Sequence, residues 1–354
     1  MKALIAMSGG VDSSVSALLM KEKGYECIGC TMKLYTDEDL GLDTGHTCCS
    51  MDDVSDARRV ANRLEMPYYV LNFTEDFRSL VIDRFVSCYE NGMTPNPCID
   101  CNKHMKFDEL YRRAKEFGCD KIVTGHYARI EETDRGFVLK KAVDESKDQS
   151  YVLYQLTQDI LKDTVFPLGS YSKAEIRRLA EENGFINADK PDSQDICFVP
   201  DGDYAAAIKR FSGKEYEEGD FTDVNGNVLG RHRGIIYYTI GQRKGLGIPG
   251  KTPYYVKAID VKNNRVILSG DDELYSSHCK VTDVNWITPA LVSDGMRVSA
   301  KIRYRHKEQP ASIKINEDGT IDVNFDEPQR AITPGQSAVF YMDDIVLGGG
   351  KIIG

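Results

Sequence analysis

The sequence lacks the features that mark membrane, secreted and disulfide-stapled proteins. No apolar run approaches the roughly 18 residues that a membrane-spanning helix needs. The N-terminal MKALIAMSGG has neither the apolar core nor the cleavage site of a signal peptide. Ten cysteines among 354 residues are too few for a disulfide scaffold. We therefore expect a cytoplasmic protein that has no membrane partner.

An excess of positive charge is also missing. Lysine and arginine number 45 against 55 aspartate and glutamate residues, which gives a formal net charge of −10. This balance excludes a uniformly basic nucleic-acid coat, although a local basic stripe remains compatible with it. The content of 41% apolar and 28% charged residues is ordinary for a globular protein. The length suggests two or three domains, and we find neither an internal repeat nor a low-complexity tract.

The first half of the chain alternates short apolar runs with helical periods. The apolar runs predict strands at 2–7, Cys27–Tyr35, Tyr68–Leu71 and Lys121–Thr124. Helices are predicted at Ser13–Lys23, after Ser50, at Phe107–Phe117 and after the capping box of Ser172 and Glu175. Short strands separated by helices are typical of βαβ units on a parallel sheet, so we predict an α/β fold.

Hairpin signals replace the helical periods after about residue 210. A glycine-rich basic stretch at 229–250 precedes pairs of strands, and Asp318-Gly319 is a strong hairpin turn. We therefore predict an antiparallel sheet or small barrel after the α/β region. Gly245–Thr252 matches a P-loop pattern, but that motif needs a helix directly after its Lys-Thr, and β-rich sequence follows Pro253 instead. We interpret this stretch as a basic loop.

The string Ser8–Ser14, SGGVDSS, lies between the first strand and the first helix. Backbone N–H groups at a helix start, loosened by two glycines, form a nest that suits phosphate oxygens. Ser13 and Ser14 can add hydroxyl donors, and Asp12 can hold a magnesium ion among the phosphates. The string has no lysine, so it is not a P-loop. We predict a phosphate site here; the alternative is an ordinary turn with an N-cap serine.

Most of the cysteines have an ordinary interpretation as small buried residues. Cys27 and Cys30 are spaced like a metal-binding pair, but in a strand their side chains point to opposite faces. Core positions are likewise expected for Cys88, Cys119 and Cys279. A loop before a helix holds one further group that can bind metal, although no second pair is spaced like a zinc site: His46, Cys48 and Cys49.

Three more cysteines are predicted to lie in polar loops. Cys98 and Cys101 stand three residues apart in Thr94–Asn102, where two prolines stiffen a loop before the next helix. Such a setting suits redox or metal chemistry. Cys197 lies in another loop. A reactive thiol needs positive neighbours that lower its pKa, and the adjacent candidates, for which surface roles are equally open, are Lys103 and His104.

These motifs together resemble those of one known family. Ser8–Ser14 resembles the PP-loop of the ATP pyrophosphatase group, which activates an oxygen by adenylation and releases pyrophosphate. Six further strings narrow the resemblance: Thr94–Phe107, Gly125–Arg129, Lys147–Tyr151, Ser193–Phe198, Thr239–Gly247 and Pro334–Gln336. With them, the chain resembles the tRNA-specific 2-thiouridylase family over essentially its whole length.

The resemblance implies an architecture of three parts. Residues 1–207 are expected to form a PP-loop ATP-binding catalytic domain, a parallel sheet with helices of the adenine nucleotide alpha hydrolase type. Residues 208–272 are expected to form a small central β-rich domain, and residues 273–354 a C-terminal antiparallel β-barrel that binds tRNA.

The resemblance also implies a reaction, the ATP-dependent replacement of O2 of the anticodon wobble uridine by sulfur. ATP first adenylates that oxygen, with Mg²⁺ among the phosphates, and a persulfide sulfur then attacks C2. By resemblance Cys197 carries the persulfide, and Cys101 frees its sulfur and forms a transient disulfide with Cys197. The implied partners are tRNA and a persulfide donor, either a cysteine desulfurase or a sulfur-carrier protein.

Further site residues follow from the same resemblance. The implied ATP contacts are Ala6, Met7, Ser8, Gly9, Gly10, Val11, Asp12, Ser13, Ser14, Met32 and Gly125. The implied contacts with the target base and tRNA are Asn96, Pro97, Cys98, His126, Lys147, Asp148, Gln149, Arg303, Tyr304, Arg305 and Gln336. A predicted strand also places most of its positive charge on one face, as a phosphate track or a solvated face: Arg297, Lys301, Arg303, Arg305 and Lys307.

The sequence departs from the family's pattern at one position. Where much of the family has an aspartate proposed as an acid, base or positioning group, this chain has Cys98, and Asp100 follows two residues later. Cys98, Cys101 and Cys197 can instead hold three irons of a [4Fe–4S] cluster whose fourth iron carries sulfide. The same motifs are also compatible with a PP-loop ligase for a small molecule and with a non-catalytic RNA-binding or iron–sulfur protein.

Overall fold

A computed structural model describes residues 1–36, 39, 51–191 and 196–353 of the chain. Its strands are β1 Lys2–Ala6, β2 Glu26–Lys33, β3 Tyr68–Asn72, β4 Lys121–Val123, β5 Ala128–Thr133, β6 Gly136–Lys141, β7 Thr164–Val165, β8 Gly219–Thr222, β9 Val228–His232, β10 Tyr255–Asp260, β11 Arg265–Ser269, β12 Tyr275–Trp286, β13 Arg297–Lys301, β14 Gln309–Ile315, β15 Ile321–Arg330, β16 Ser337–Met342 and β17 Ile345–Ile352.

The helices lie mainly in the first 212 residues. The α-helices are α1 Val11–Glu22, α2 Met51–Arg63, α3 Thr74–Phe77, α4 Asp83–Glu90, α5 Pro97–Asp100, α6 Leu110–Glu116, α7 Gln158–Asp163, α8 Lys173–Glu182 and α9 Tyr204–Ser212. Two segments have the wider π-helical pattern, Arg78–Ile82 and Cys101–Glu109. Single 3₁₀ turns occur at Ser150–Leu153, Ile235–Tyr237, Asp271–Leu274 and Pro289–Leu291. None of the helices in the described part is both long and apolar enough to cross a membrane.

The first half folds around a parallel sheet, as predicted. Its strand order is β3-β2-β1-β4-β7, and every neighbouring pair is parallel. Helices cover both faces, so successive side chains of one strand enter two different cores. Cys27 and Cys30 show this directly, because both are buried and each belongs to a different core. The α/β prediction for this part of the chain is confirmed.

A small mixed sheet follows in the middle of the chain. Its strand order is β10-β11-β8-β9, and the predicted hairpin across Lys262–Asn264 joins β10 to β11. The segment that matched a P-loop pattern, Gly245–Thr252, contains no helix and leads into β10. Its interpretation as a loop is confirmed.

The last part of the chain forms a closed antiparallel barrel. The order β12-β15-β14-β13-β16-β17 closes through a pairing of β12 with β17. Asp318-Gly319 lies in the turn between β14 and β15, where Gly319 has the positive φ of +80° that such a turn requires. The predicted barrel is confirmed.

One hairpin of the first half joins the barrel, which the sequence did not predict. Strands β5 and β6 pair with each other, and β6 continues the barrel sheet through Leu139 and Lys140, which face Val346 and Ile345 of β17. The first and last parts of the chain therefore share one continuous sheet of eight strands. This sharing joins the first half of the chain to the barrel through backbone pairing of β6 with β17.

The segment predicted as a proline-stiffened loop is helical instead. Asn96 caps the helix, because its side-chain Oδ1 accepts a hydrogen bond from the backbone N–H of Cys98 at 3.1 Å. Pro97 occupies the first helical position, where a missing N–H costs nothing. Helix therefore runs without a break from Pro97 to Glu116, and both Cys98 and Cys101 lie on it.

Candidate active site

The loop after β1 is folded by its own serine hydroxyls. The Oγ of Ser13 accepts a hydrogen bond from the backbone N–H of Ser8 at 3.2 Å and donates one to the carbonyl of Gly10 at 3.0 Å. Ser14 donates to the same carbonyl at 3.1 Å. Gly10 is the N-cap of α1 and has no side chain to cap it. The loop thus presents a helix N-terminus to the carboxyl ends of the strands, which is a favourable place for an anion.

Two glycines allow this loop to pack closely. Gly9 has φ +79°, and a Cβ there would lie 2.4 Å from the carbonyl oxygen of Asp53. At Gly125, just after β4, a Cβ would lie 3.1 Å from backbone atoms of Asp12 and Ser13. Side chains at these positions would force the loop away from α2 and β4. Close backbone packing is therefore a steric reason for glycine at positions 9 and 125.

The carboxylate of Asp12 is neutralised by a distant lysine. The Nζ of Lys173 lies 2.7 Å from Oδ1 and 2.8 Å from Oδ2 of Asp12, and the hydroxyl of Tyr127 donates to Oδ1 at 2.7 Å. Lys173 is the first residue of α8, where the predicted capping box of Ser172 and Glu175 is present in both directions. The side chain of Lys173 is 11% exposed, so its ammonium group contacts the loop from the protein interior.

A cavity of about 740 Å³ opens beside this loop and reaches the barrel. It contains residues from the PP-loop, the Cys101 helix, the Cys197 loop and the barrel. The predicted site residues that line it are Ala6, Met7, Ser8, Asp12, Ser13, Met32, Asn96, Pro97, Cys98, Cys101, Gly125, His126, Gln149, Cys197, Arg303, Tyr304, Arg305 and Gln336. One enclosure thus brings together groups that are up to about 330 residues apart in the sequence.

The remaining predicted site residues lie beside the cavity rather than on its wall: Gly9, Gly10, Val11, Ser14, Lys147 and Asp148. Asp148 shapes its own loop, since its carboxylate accepts hydrogen bonds from the backbone N–H of Ala142 at 3.0 Å and the hydroxyl of Ser150 at 2.7 Å. This leaves Gln149 to face the cavity, where its Oε1 also accepts from the backbone N–H of Tyr127.

Asp100 does not replace the carboxylate that much of the family has at the position of Cys98. Its Oδ1 lies 3.7 Å from Nη1 of Arg84, and Asp100 is absent from the cavity lining. Among the described residues, Asp12 is the one carboxylate that lines the cavity. Among the described residues of the cavity wall, thiols, an amine and an imidazole therefore accompany the single carboxylate of Asp12.

The thiol of Cys101 is strongly influenced by burial. Burial raises its pKa to about 11, the nearby Lys106 opposes that rise, and Cys98 and Asp100 add to it. The two neighbours that the sequence offered as activators do not serve. His104 accepts a hydrogen bond from Arg84 at 2.7 Å, and burial and Arg84 lower its pKa, while Lys103 does not line the cavity. Lys106 takes the place that Lys103 and His104 were expected to fill.

His126 is a neutral imidazole inside the protein. It is 6% exposed, and burial together with Lys106 lowers its pKa well below the ordinary value. Its Nδ1 lies 2.7 Å from Oγ1 of Thr124, and its Nε2 lies 3.2 Å from Nζ of Lys106. Both ring nitrogens are thus occupied by protein partners.

Cys197 lies in a turn, as predicted, and that turn is anchored on both sides. The hydroxyl of Tyr35 donates a hydrogen bond to the carbonyl of Cys197 at 3.1 Å. The next residue, Phe198, is buried and packs edge-on against Phe77 and Phe85. The preceding residues 192–195, part of the predicted Ser193–Phe198 string, lie outside the described residues, as do His46, Cys48 and Cys49.

The barrel contributes a turn to the cavity rather than a basic strand face. Strand β13 ends at Lys301, so the predicted alternation of charges along one strand through Lys307 is wrong. Arg297 pairs with Asp326 at 2.8 Å. Lys301 lies over the rings of Tyr151 and Tyr304, and burial lowers its pKa. The chain turns after Lys301, and this turn carries Arg303, Tyr304 and Arg305 into the cavity wall.

Two further contacts attach the barrel to the cavity. Gln336 donates from Nε2 to the carbonyl of Thr94 at 2.8 Å, and the backbone N–H of Thr94 donates to the carbonyl of Pro334 at 2.9 Å. Arg303 donates to Thr333 Oγ1 at 2.8 Å and also to the carbonyl of Ala331. The barrel edge is therefore joined directly to the segment that precedes the Cys98–Cys101 helix.

The described side chains predicted to bind metal are of two kinds, the three thiols of Cys98, Cys101 and Cys197 and the carboxylate of Asp12. Within the described part of the chain, no three His, Cys, Asp or Glu side chains come close enough to bind one ion together. Cys98, Cys101 and Cys197 share the cavity without forming such a single-ion group, and we derive no step through a cluster. Asp12 supplies the hard oxygen ligand that Mg²⁺ takes together with phosphates, which fits a nucleotide-borne ion.

Sequence reasoning missed the two lysines that charge this site. Lys173 reaches Asp12 from α8, and the only local signal was the capping box that begins that helix. Lys106 lies five residues beyond Cys101 and lines the cavity, whereas attention to sequence neighbours favoured Lys103 and His104. A search for cations five residues from each thiol, the spacing of a π-helical turn, would have found Lys106.

Comparisons with known proteins agree with this geometry. Family models match the chain in three pieces: tRNA methyl transferase HUP domain at residues 1–201, tRNA methyl transferase PRC-barrel domain at 206–270 and Aminomethyltransferase beta-barrel domain at 276–352. The tRNA-specific 2-thiouridylase MnmA of Clostridioides difficile is 52% identical over 354 residues, which cover 99% of this chain and 98% of that protein. The chain belongs to the tRNA-specific 2-thiouridylase family.

Another member of the 2-thiouridylase family, from Acetivibrio thermocellus, is 50% identical over 99% of both chains. A solved 4-thiouridine synthetase–RNA complex with bound ATP is 20% identical, with a TM-score of 0.38, over 56% of this chain and 45% of that one. That likeness is too distant to carry an argument about function. The relatives are named for transfer of sulfur, whereas two of the domain descriptions name transfer of a methyl group. An experiment can distinguish these two reactions.

Proposed function

We propose that this protein catalyses the ATP-dependent 2-thiolation of the wobble uridine in tRNA. The observation that carries the proposal is the single cavity that holds the PP-loop, Cys101, Cys197 and the barrel residues Arg303–Arg305. Adenylation and sulfur transfer both act on C2–O2 of one base, so the two chemistries need a common chamber. The family membership supports the same reaction.

The first step makes the uridine oxygen a better leaving group. O2 attacks the α-phosphate of ATP, an O2–phosphorus bond forms, and the bond to pyrophosphate breaks. The helix N-terminus at Gly10 and the serine hydroxyls favour the phosphates, and Met32 and Gly125 line the nucleotide end of the cavity. Asp12 would hold Mg²⁺, which neutralises phosphate charge when bound. Lys173 neutralises the carboxylate of Asp12 at this end, which reduces its repulsion of the phosphates.

The second step moves a sulfur atom from the protein to the base. The terminal sulfur of a Cys197 persulfide attacks C2, and AMP leaves with O2. The Cys101 thiolate attacks the sulfur of Cys197, so that the persulfide S–S bond breaks and a Cys101–Cys197 disulfide forms. The two thiols supply the two electrons that reduce the transferred sulfur. A dithiol reductant then restores the thiols, and a persulfide donor, a cysteine desulfurase or a sulfur-carrier protein, reloads Cys197.

Recognition of tRNA is assigned to the residues around the mouth of the cavity. Arg303–Arg305 and Gln336 approach from the barrel, and Asn96–Cys98 and Gln149 approach from the catalytic half. Arginine suits phosphate through its planar fork of donors, and Tyr304 can stack on an unpaired base. A wobble nucleotide lies in a single-stranded loop, where a base can leave the stack.

The test is the mass of nucleosides from tRNA treated with the protein, ATP, Mg²⁺ and a persulfide donor. We expect 2-thiouridine, formed together with AMP and pyrophosphate, and its loss in Cys101→Ser and Cys197→Ser. Cys88→Ser is the matched control, because Cys88 does not line the cavity. Methylated uridine, dependent on a methyl donor, would overturn the proposal. AMP formation that depends on a small metabolite and not on tRNA would instead indicate a different PP-loop ligase.

A further inference from the structure

The helix that carries Cys101 changes its winding at that residue. From Cys101 to Glu109 it has the π-helical pattern, in which hydrogen bonds link residues five apart. Cys101 and Lys106 are five residues apart and both line the cavity. An α-helix would rotate Lys106 away from Cys101, since five residues exceed one α-helical turn. The wider turn therefore places an amine and a thiol on the same side of the helix.

The amine of Lys106 is held in place by an imidazole. An ammonium group only donates hydrogen bonds, so Nε2 of His126 must accept from Lys106 across their 3.2 Å contact. Nδ1 of His126 then carries the ring proton and donates it to Thr124 Oγ1 at 2.7 Å. The neutral state of His126 makes this chain of bonds possible. Among the described residues, no carboxylate forms an ion pair with Lys106.

The charged and titratable groups that face Cys101 have opposite effects on the pKa of its thiol. Cys98 and Asp100 disfavour a thiolate at Cys101, and Asp100 is itself paired with Arg84. Lys106 is the group on this face that favours the thiolate. Without Lys106, the pKa of Cys101 would be raised further by burial.

We propose that Lys106, held by His126, is a positioning residue that stabilises the thiolate of Cys101 in the cavity. Cys101 releases its proton to solvent, and the ammonium of Lys106 compensates the negative sulfur that remains. The use of this thiolate in attack on the Cys197 sulfur rests on the proposed function; the stabilisation of the thiolate by Lys106 does not. Lys106 touches neither base nor ATP in this role and acts only through Cys101.

The effect of Lys106 on the Cys101 thiolate can be measured without tRNA or ATP. Iodoacetamide alkylates thiolates, so the rate at which Cys101 is labelled, read by peptide mass spectrometry from neutral to alkaline pH, reports its protonation. We expect Lys106→Met to be labelled about tenfold more slowly than wild type at neutral pH and to regain the rate about one pH unit higher. Lys106→Arg keeps the charge and should retain most of the wild-type rate. Lys103→Met, altered on the same helix but outside the cavity lining, should match wild type.

A labelling profile of Lys106→Met that superimposes on wild type would overturn the proposal. Equal slowing in Lys106→Arg and Lys106→Met would also overturn it, because it would indicate a packing role rather than a charge. If Lys106→Met fails to fold, Lys106→Gln supplies the neutral variant. Thiolation by Lys106→Met should fall at neutral pH and recover in alkali. Wild-type protein that labels as expected yet never thiolates tRNA would contradict the proposed function alone.

Discussion

Lys173 and Asp12, 161 residues apart in the chain, form an ion pair in which both carboxylate oxygens lie within 2.8 Å of the amine. The pair joins the start of α8 to the PP-loop at the start of α1. Because Asp12 lines the cavity and Lys173 lies behind it, the pair sets the charge that an incoming polyphosphate meets.

Removing either partner should impair the ATP step. Lys173→Met leaves the Asp12 carboxylate without its cation at the proposed phosphate site, and Asp12→Ala removes the proposed magnesium ligand. We expect tRNA-dependent pyrophosphate release to fall about 10²-fold in each, the scale seen when one charge-stabilising group is removed. The double variant should lose far less than the product of the two, since the residues act together. Lys257→Met, at an exposed ion pair with Glu273, is the control. Unchanged turnover in Asp12→Ala would refute the phosphate-site assignment.

Arg305 should contribute to tRNA affinity through phosphate. We expect Arg305→Ala to weaken binding and to lower the slope of log affinity against log salt by about 0.9 for a duplex contact, or about 0.7 in a single strand. Arg303→Ala should do the same but also loosen the turn, because Arg303 holds Thr333. Arg297→Ala, whose guanidinium pairs with Asp326, should keep the wild-type slope. A filter-binding titration at several salt concentrations measures all three, and three identical slopes would show that the turn is merely solvated.

Cys98 separates the persulfide route from a cluster route. We expect Cys101→Ser and Cys197→Ser to abolish thiolation by either route, whereas Cys98→Asp restores the residue common in the family and should retain substantial activity. That activity should persist in air, with a persulfide donor and no iron. Weak oxygen ligation in place of thiolate would instead destabilise a cluster. Strict dependence of thiolation on anaerobically reconstituted iron would eliminate the persulfide route.

Acid should destabilise the protein before its carboxylates titrate. Burial lowers the pKa of four histidines, His104, His126, His232 and His306. An unfolded chain therefore binds protons that the folded chain refuses, so stability is full above the ordinary pKa of about 6.5 and falls as pH drops below it. Below that pH, the free energy of unfolding of His126→Gln should change by up to about 1.4 kcal/mol per pH unit less than that of wild type. Urea unfolding at several pH values measures it, with His278→Gln, exposed on β12, as control; equal slopes for the two variants would contradict the assignment.

Much of the fold follows from local sequence rules. The strand–turn–helix around Ser8–Ser14, the capping box at Ser172 and the turn at Asp318-Gly319 each involve contacts within a few residues, which a pattern can predict. The alternation of strands and helices was enough to predict a parallel sheet. Glycine and proline were less reliable, since Pro97 begins a helix where stiffening of a loop was predicted.

The parts that could not be predicted depend on contacts between distant segments. The pairing of β6 with β17 joins residues about 200 positions apart, and nothing in the local pattern of either strand indicates its partner. The same holds for Lys173 and Asp12. The basic strand failed for a different reason: alternating charges at Arg297–Lys307 fit a strand, but the chain turns after Lys301 so that Arg303 can reach Thr333.

The position of β17 has a consequence for how the protein is made. The ribosome synthesises this strand after β1 to β16, yet β17 closes the barrel against β12 and extends it to β6. A nascent chain that stops before Ile345 already contains the PP-loop and the thiols of Cys98, Cys101 and Cys197, but the wall contributed by the barrel has no closed sheet behind it. Termination before β17 therefore yields a chain that has these thiols but lacks the closed sheet behind their enclosure.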